Sequence, residues 1–136
     1  MSYFLAKTDP DTYSIGQLEQ DKKTVWDGVR NPQAVRAIRS MRPGDKVFIY
    51  HSGGNSAVVG LARVVSESRT DPKNPKSAVV DLEFVERLDP AVTLSEIKQS
   101  KLFEDWGLVR QGRLSTMAAT ETFVEWMRNK FPKSGI

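Results

Sequence analysis

Near the middle of this 136-residue chain, two apolar runs flank four residues suited to reversing direction. Lys46 to His51 contains Val47, Phe48, Ile49 and Tyr50, a β-branched and aromatic run that reads as a buried strand. Ser52-Gly53-Gly54-Asn55 follows as a hairpin loop, and Ala57 to Val65 returns as the partner strand, with Gly60 marking a bulge or a close approach. An antiparallel pair at this position rules against a doubly wound parallel sheet, which needs long helices between successive strands.

The flanking segments fit the same conclusion. Tyr3 to Ala6 is a short aromatic and apolar run that predicts an opening strand, and Pro10 ends it. Ser14 and Gln17 have capping-box spacing and predict a helix over Ile15 to Gln20; Thr24 to Trp26 predicts a brief extended piece. Asn31 followed by Pro32 predicts a helix to about Met41, with Ala34, Val35, Ile38 and Met41 as its buried stripe. Thr70 to Lys76, with two prolines, reads as an exposed loop, and Val80 to Val85 as a half-buried strand. Thr93 with Glu96 opens a short helix, Arg110 to Met117 reads as a loop joined to a strand, and Thr120 caps a last helix carrying Phe123, Met127 and Phe131. Trp106, Trp126 and Phe123 are core candidates. The fold class is therefore α+β, in one domain over residues 1–136: a small curled sheet or barrel with short helices packed on it.

Composition narrows the chemistry. There is no cysteine and one histidine, so thiolate catalysis and cysteine-based zinc sites are excluded, and no metal or cofactor is expected. No apolar run reaches membrane-spanning length and the first residues lack secretory-signal character, so the expected setting is cytoplasmic, or the nucleoid in a bacterium, with no membrane partner; the sequence leaves the oligomeric state open, with a monomer favoured. The net charge of +3 is too small to imply nucleic acid, but its distribution is uneven. Gly28 to Gly44 holds Arg30, Arg36, Arg39 and Arg42 without one carboxylate, and Trp106 to Thr120 holds Arg110 and Arg113, again without one. Such windows suit phosphate contact, although a solvated basic helix face has the same pattern.

The residues Trp26-Asp27-Gly28-Val29-Arg30-Asn31 set an aromatic, an acid, a glycine, a guanidinium and an amide side by side. That combination suits a planar ligand with polar edges such as a nucleobase: the indole can stack, Asp27 and Asn31 can bond to the edge, and Arg30 can hold a phosphate. Each residue also has a structural reading. Trp26 can be core, Asn31 a helix cap, and Asp27 an orienting partner of Arg30. Lys7 and Thr8 lie just past a strand end, where binding residues often occur, and His51 reads as a hydrogen-bonded structural residue or a binding one. Arg110 and Arg113 flank Gly112, which lets main chain approach an anion closely.

Four ordered blocks of this chain resemble the EVE-domain family: Lys7-Thr8-Asp9-Pro10, the Trp26–Asn31 hexapeptide, Tyr50-His51-Ser52, and Arg110-Gln111-Gly112-Arg113-Leu114-Ser115. The resemblance implies a PUA-like small β-barrel of five or six strands with peripheral helices. It also implies a non-catalytic reader of a modified base, notably modified cytosine in DNA and alternatively in RNA or as the free nucleoside. By the same resemblance Trp26 is the stacking platform and Thr8 and Asn31 touch the base edge. The pocket is expected to draw on Lys7, Thr8, Trp26, Asp27, Arg30, Asn31, Tyr50, His51 and Ser52. Anion contact is expected at Arg36, Arg39, Arg110, Gln111, Gly112, Arg113 and Ser115. Pro32 departs from the family pattern, in which many members carry an aromatic there, and so leaves the preferred base open. Two alternatives remain: a small amidohydrolase like those of the PUA-like ASCH group, suggested by Lys7 beside Thr8, and a module whose arginines meet an acidic protein partner.

Overall fold

The structure is a computed structural model that describes residues 1–136. Its strands are β1 (Tyr3–Thr8), β2 (Lys23–Trp26), β3 (Lys46–His51), β4 (Ala57–Val64), β5 (Arg69–Asp71), β6 (Asn74–Thr93) and β7 (Thr116–Ala118). The helices are α1 (Ile15–Asp21), α2 (Pro32–Ser40), α3 (Leu94–Gln99), α4 (Gly107–Arg110) and α5 (Glu121–Lys130). The strands form one sheet in the order β2-β6-β4-β3-β1-β7, with β5 attached to β6. β1 runs parallel to β3, whereas every other pairing is antiparallel.

The mixed α+β class and the hairpin at 52–55 agree with the sequence reading, but three expectations are corrected. The sheet has seven strands instead of five or six, and β2 and β7 end an open path instead of closing a barrel. Closure depends on which strands meet across the molecule, which local pattern does not encode. In addition, Thr70 to Lys76 is no free loop: β5 and the start of β6 form a hairpin there. Pro75 is tolerated because the register shifts between Thr70 and Asp71, leaving residues 75–77 outside the paired positions.

Local chemistry explains the helix starts. The side chains of Ser14, Asn31, Thr93 and Thr120 each accept a main-chain N–H at the N-terminus of α1, α2, α3 and α5, satisfying donors that the first turn leaves free. On α2, Ala34, Val35 and Ile38 are buried, together with Met41 just beyond it. Gly60 is a close approach as well as a register shift. A Cβ there would lie 2.3 Å from Ile15 Cδ1, so only glycine lets α1 seat on β4. The core runs continuously from the sheet into an aromatic cluster of Phe48, Phe103, Trp106 and Phe123, with Trp126 packed on its rim. No helix is long and apolar enough to cross a membrane.

Candidate functional site: a cavity beside Trp26

A cavity of about 300 Å³ opens between the end of β1, the loop before α1, and β2 with the turn that follows it. Lys7 and Thr8 enter it where β1 leaves the sheet; Thr12 and Tyr13 come from the loop made by Pro10; Thr24 to Val29 form the far wall; Ser115 closes it just before β7. Gly28 turns the chain away from β2 with φ of 77°, a conformation that costs glycine little. The volume lies at the lower end of the range for small-molecule sites and suits a ligand the size of a single base.

The frame is main chain. The Lys7 N–H donates to Ser115 O at 2.7 Å, and the Ser52 N–H donates to Thr8 O at 3.0 Å. The Thr8 hydroxyl donates to Tyr13 O at 2.8 Å, which pins the loop before α1 against the strand end. Tyr13 meets Trp26 edge to face with centroids 6.3 Å apart, and its own hydroxyl donates to Asp21 at 2.9 Å.

Trp26 is only 7% exposed, yet its indole N–H has no acceptor in the protein. No fully enclosed side-chain nitrogen or oxygen lacks a partner, so this unpaired N–H keeps contact with solvent-accessible space. The Lys7 ammonium donates to Gly112 O at 3.0 Å, lies 5.5 Å from the Tyr50 ring centre, and has no carboxylate partner. Burial holds its pKa below the ordinary lysine value and pushes the Tyr13 phenol up. Asp27 is exposed at the mouth and forms no ion pair. A ring entering the cavity therefore meets an aromatic wall, an ammonium and hydroxyls on one side, and a carboxylate near the entrance.

Of the residues singled out in the sequence, Lys7, Thr8, Trp26, Asp27 and Ser115 line the cavity. Arg30, Asn31, Tyr50, His51 and Ser52 do not line it. The Asn31 oxygen accepts from the N–H groups of Gln33 and Ala34, leaving its NH₂ free to donate. Tyr50 is buried behind Lys7, and burial raises its pKa. His51 Nε2 accepts the Ile15 N–H at 3.0 Å, and burial followed by the charge of Arg87 lowers its pKa. Arg36 and Arg39 are exposed on α2, Arg39 reaching Ser77 O at 3.3 Å. Arg110 pairs with Asp105 at 3.2 Å, while Gln111, Gly112 and Arg113 form an exposed turn attached to Lys7 through Gly112 O. Sequence reasoning missed Thr12, Tyr13, Thr24 and Val25. An aromatic in an otherwise polar loop after Pro10 was the available signal. No group of three His, Cys, Asp or Glu side chains is arranged to hold a metal ion.

The model of the EVE domain matches residues 2–130. This chain belongs to the EVE-domain family. It is similar to rat thymocyte nuclear protein 1, 33% identical across 71% of this chain and 55% of that protein, so it spans about half the length of the curated relatives it matches. Among solved EVE-like structures, a protein of Agrobacterium tumefaciens superposes with a TM-score of 0.88 at 32% identity, covering 100% of both chains. Human THYN1 protein in complex with 5-methylcytosine-containing DNA superposes with a TM-score of 0.87 at 25% identity, covering 98% of this chain and 99% of that one. The PUA-like architecture of the EVE domain thus extends over nearly the whole chain, and the family includes a member seen bound to DNA that carries a modified cytosine.

Proposed function

We propose that this chain is one EVE domain that binds a modified nucleobase, foremost a modified cytosine in DNA, in the cavity beside Trp26. The observation that carries this reading is the Trp26 ring, packed into the core and at the same time part of the wall of a base-sized cavity. A base turned out of its stack loses a few kcal/mol of stacking and pairing, and an aromatic wall returns about 1–3 kcal/mol. Cytosine also presents an amino donor and ring acceptors, which suit Asp27 and the Lys7 ammonium respectively. His51 and Ser52 hold these walls in place through the Ile15 N–H and Thr8 O, Tyr50 lies under Lys7, and Arg30 and Asn31, which follow the wall residue Val29, can donate to the base, its sugar or its phosphate. Arg36, Arg39, Arg110, Gln111, Gly112, Arg113 and Ser115 face the phosphates. The complex of human THYN1 protein with 5-methylcytosine DNA supports the choice of base and polymer.

Binding without catalysis is favoured by how the two candidate reactive groups are engaged. The Thr8 hydroxyl gives its proton to Tyr13 O and Lys7 rests on Gly112 O, and neither is hydrogen-bonded to a carboxylate or histidine that could activate it. The test is a panel of duplexes and single strands, DNA and RNA, each with plain or modified cytosine, titrated at one salt concentration. The proposal expects tighter binding to modified cytosine in DNA. Equal affinity across the panel rejects it, and release of a new product from acylated cytidine, seen by mass, establishes the amidohydrolase instead.

A further inference from the structure

A second concavity, of about 710 Å³, lies between the Ser52–Ser56 turn and α3. Asn55, Ser56, Ser95 and Gln99 give it hydroxyl and amide walls, Lys98 and Lys101 flank it, and no carboxylate lines it. Glu96, the acid of α3, is paired with Lys130, while Lys98 and Lys101 form no ion pair. Two unneutralised ammonium groups beside neutral donors form a surface that suits an anion spread over several ångströms.

Its position gives that surface a purpose. Tyr50, buried near the end of β3, lies beneath the Lys7 ammonium of the Trp26 cavity wall, 5.5 Å from ring centre to nitrogen, and β3 runs directly into the turn that carries Gly54, Asn55 and Ser56 of the groove. The turn itself starts from the same strand end, since the Ser52 N–H is bonded to Thr8 O. The groove therefore lies on the turn that leaves the strand end beside the base cavity.

We infer that this groove is a phosphodiester subsite, which holds the sugar–phosphate backbone of nucleotides flanking the base in the Trp26 cavity. The inference rests on the base-binding reading for what lies next door, but its own chemistry is that of ammonium and hydroxyl groups on phosphate. Phosphate contacts register as salt dependence, because each neutralised phosphate releases condensed counterion, whereas a free nucleoside carries no phosphate to lose.

The experiment compares the full chain with the Lys98→Ala/Lys101→Ala variant, and with Lys133→Ala as a charge control outside the groove. The probes are a duplex with one 5-methylcytosine, the same duplex unmodified, and free 5-methylcytidine. For the double variant, the slope of log affinity against log salt on the methylated duplex should fall by about 2, one for each lysine, while nucleoside binding and the control stay unchanged. An unchanged slope overturns the groove, as does a double variant that loses nucleoside binding as well. If the wild type holds both duplexes equally and the double variant still loses its slope, the groove stands and the base reading falls. Failure of the wild type to bind any of the probes ends both.

Discussion

Trp26 and Trp106 are almost equally buried, at 7% and 8% exposure, but they are held in different ways. Trp106 lies against Phe123, with centroids 4.6 Å apart, and against Phe103 at 6.2 Å, and its indole donates to Ala118 O at 2.9 Å. Trp26 has one aromatic neighbour, Tyr13, a hollow alongside, and an indole N–H that no protein group accepts. Fractional exposure therefore does not separate a structural tryptophan from a binding one. What separates them is whether the polar atom has a partner and whether other rings or a hollow adjoin the indole.

The largest expected effect breaks the aromatic cluster. Trp106→Ala should destabilise the fold by about 3–5 kcal/mol, the usual cost of emptying a packed aromatic site, measured by urea unfolding. A loss under about 1 kcal/mol would mean that Trp106, too, faces open space. Trp26→Ala should weaken binding of a methylated oligonucleotide by about 1–3 kcal/mol, the range for a lost base stack, while costing less stability than Trp106→Ala. If the order of the two stability losses is reversed, the contrast is wrong. Asn31→Ala removes the cap of α2 beside the Trp26 segment and should lower stability by about 1 kcal/mol. A binding loss well beyond that would assign the Asn31 amide to the ligand and move it from frame to contact.

The smallest effect concerns pH. His51 accepts the Ile15 N–H only when Nε2 is unprotonated, and its pKa in the fold lies below the ordinary 6.5. Below 6.5 the unfolded chain takes up the proton more readily than the folded one, so this contribution is present above 6.5 and is lost as pH falls toward the folded value. His51→Gln keeps an acceptor without a titrating ring. Between pH 7.5 and 5.5 its melting temperature should drop less than that of the wild type, and equal drops would remove His51 as the anchor of the Tyr13 side of the cavity.

The parts of this molecule that could be read from sequence are those set within a few residues. Ser14, Asn31, Thr93 and Thr120 all cap where their spacing puts them, because a cap needs only its own side chain and the next turn. The β3–β4 hairpin was legible for the same reason. The β5–β6 hairpin was not, since Pro72 and Pro75 look like breakers until the register shift that accommodates Pro75 is known. Nor was the open sheet, which depends on β1 lying beside β3 and β7. At the site, the strand-end residues Lys7 and Thr8 and the aromatic Trp26 were visible as chemistry, but Tyr13 joins them through tertiary contacts, the Thr8 bond to its carbonyl and its edge-to-face meeting with Trp26. Asn31, the most suggestive amide in the chain, turns its oxygen to the helix it begins.

Because the strand ends beside the Trp26 cavity are fastened by peptide groups, through Lys7 to Ser115 and Thr8 to Ser52, their placement does not depend on the side chains of the far wall. Thr12, Thr24 or Val25 can be exchanged and the strands will still meet at the same place. Selectivity in such a receptor is free to drift toward another ligand while the scaffold persists, which makes it a natural starting point for retuning by a few wall substitutions.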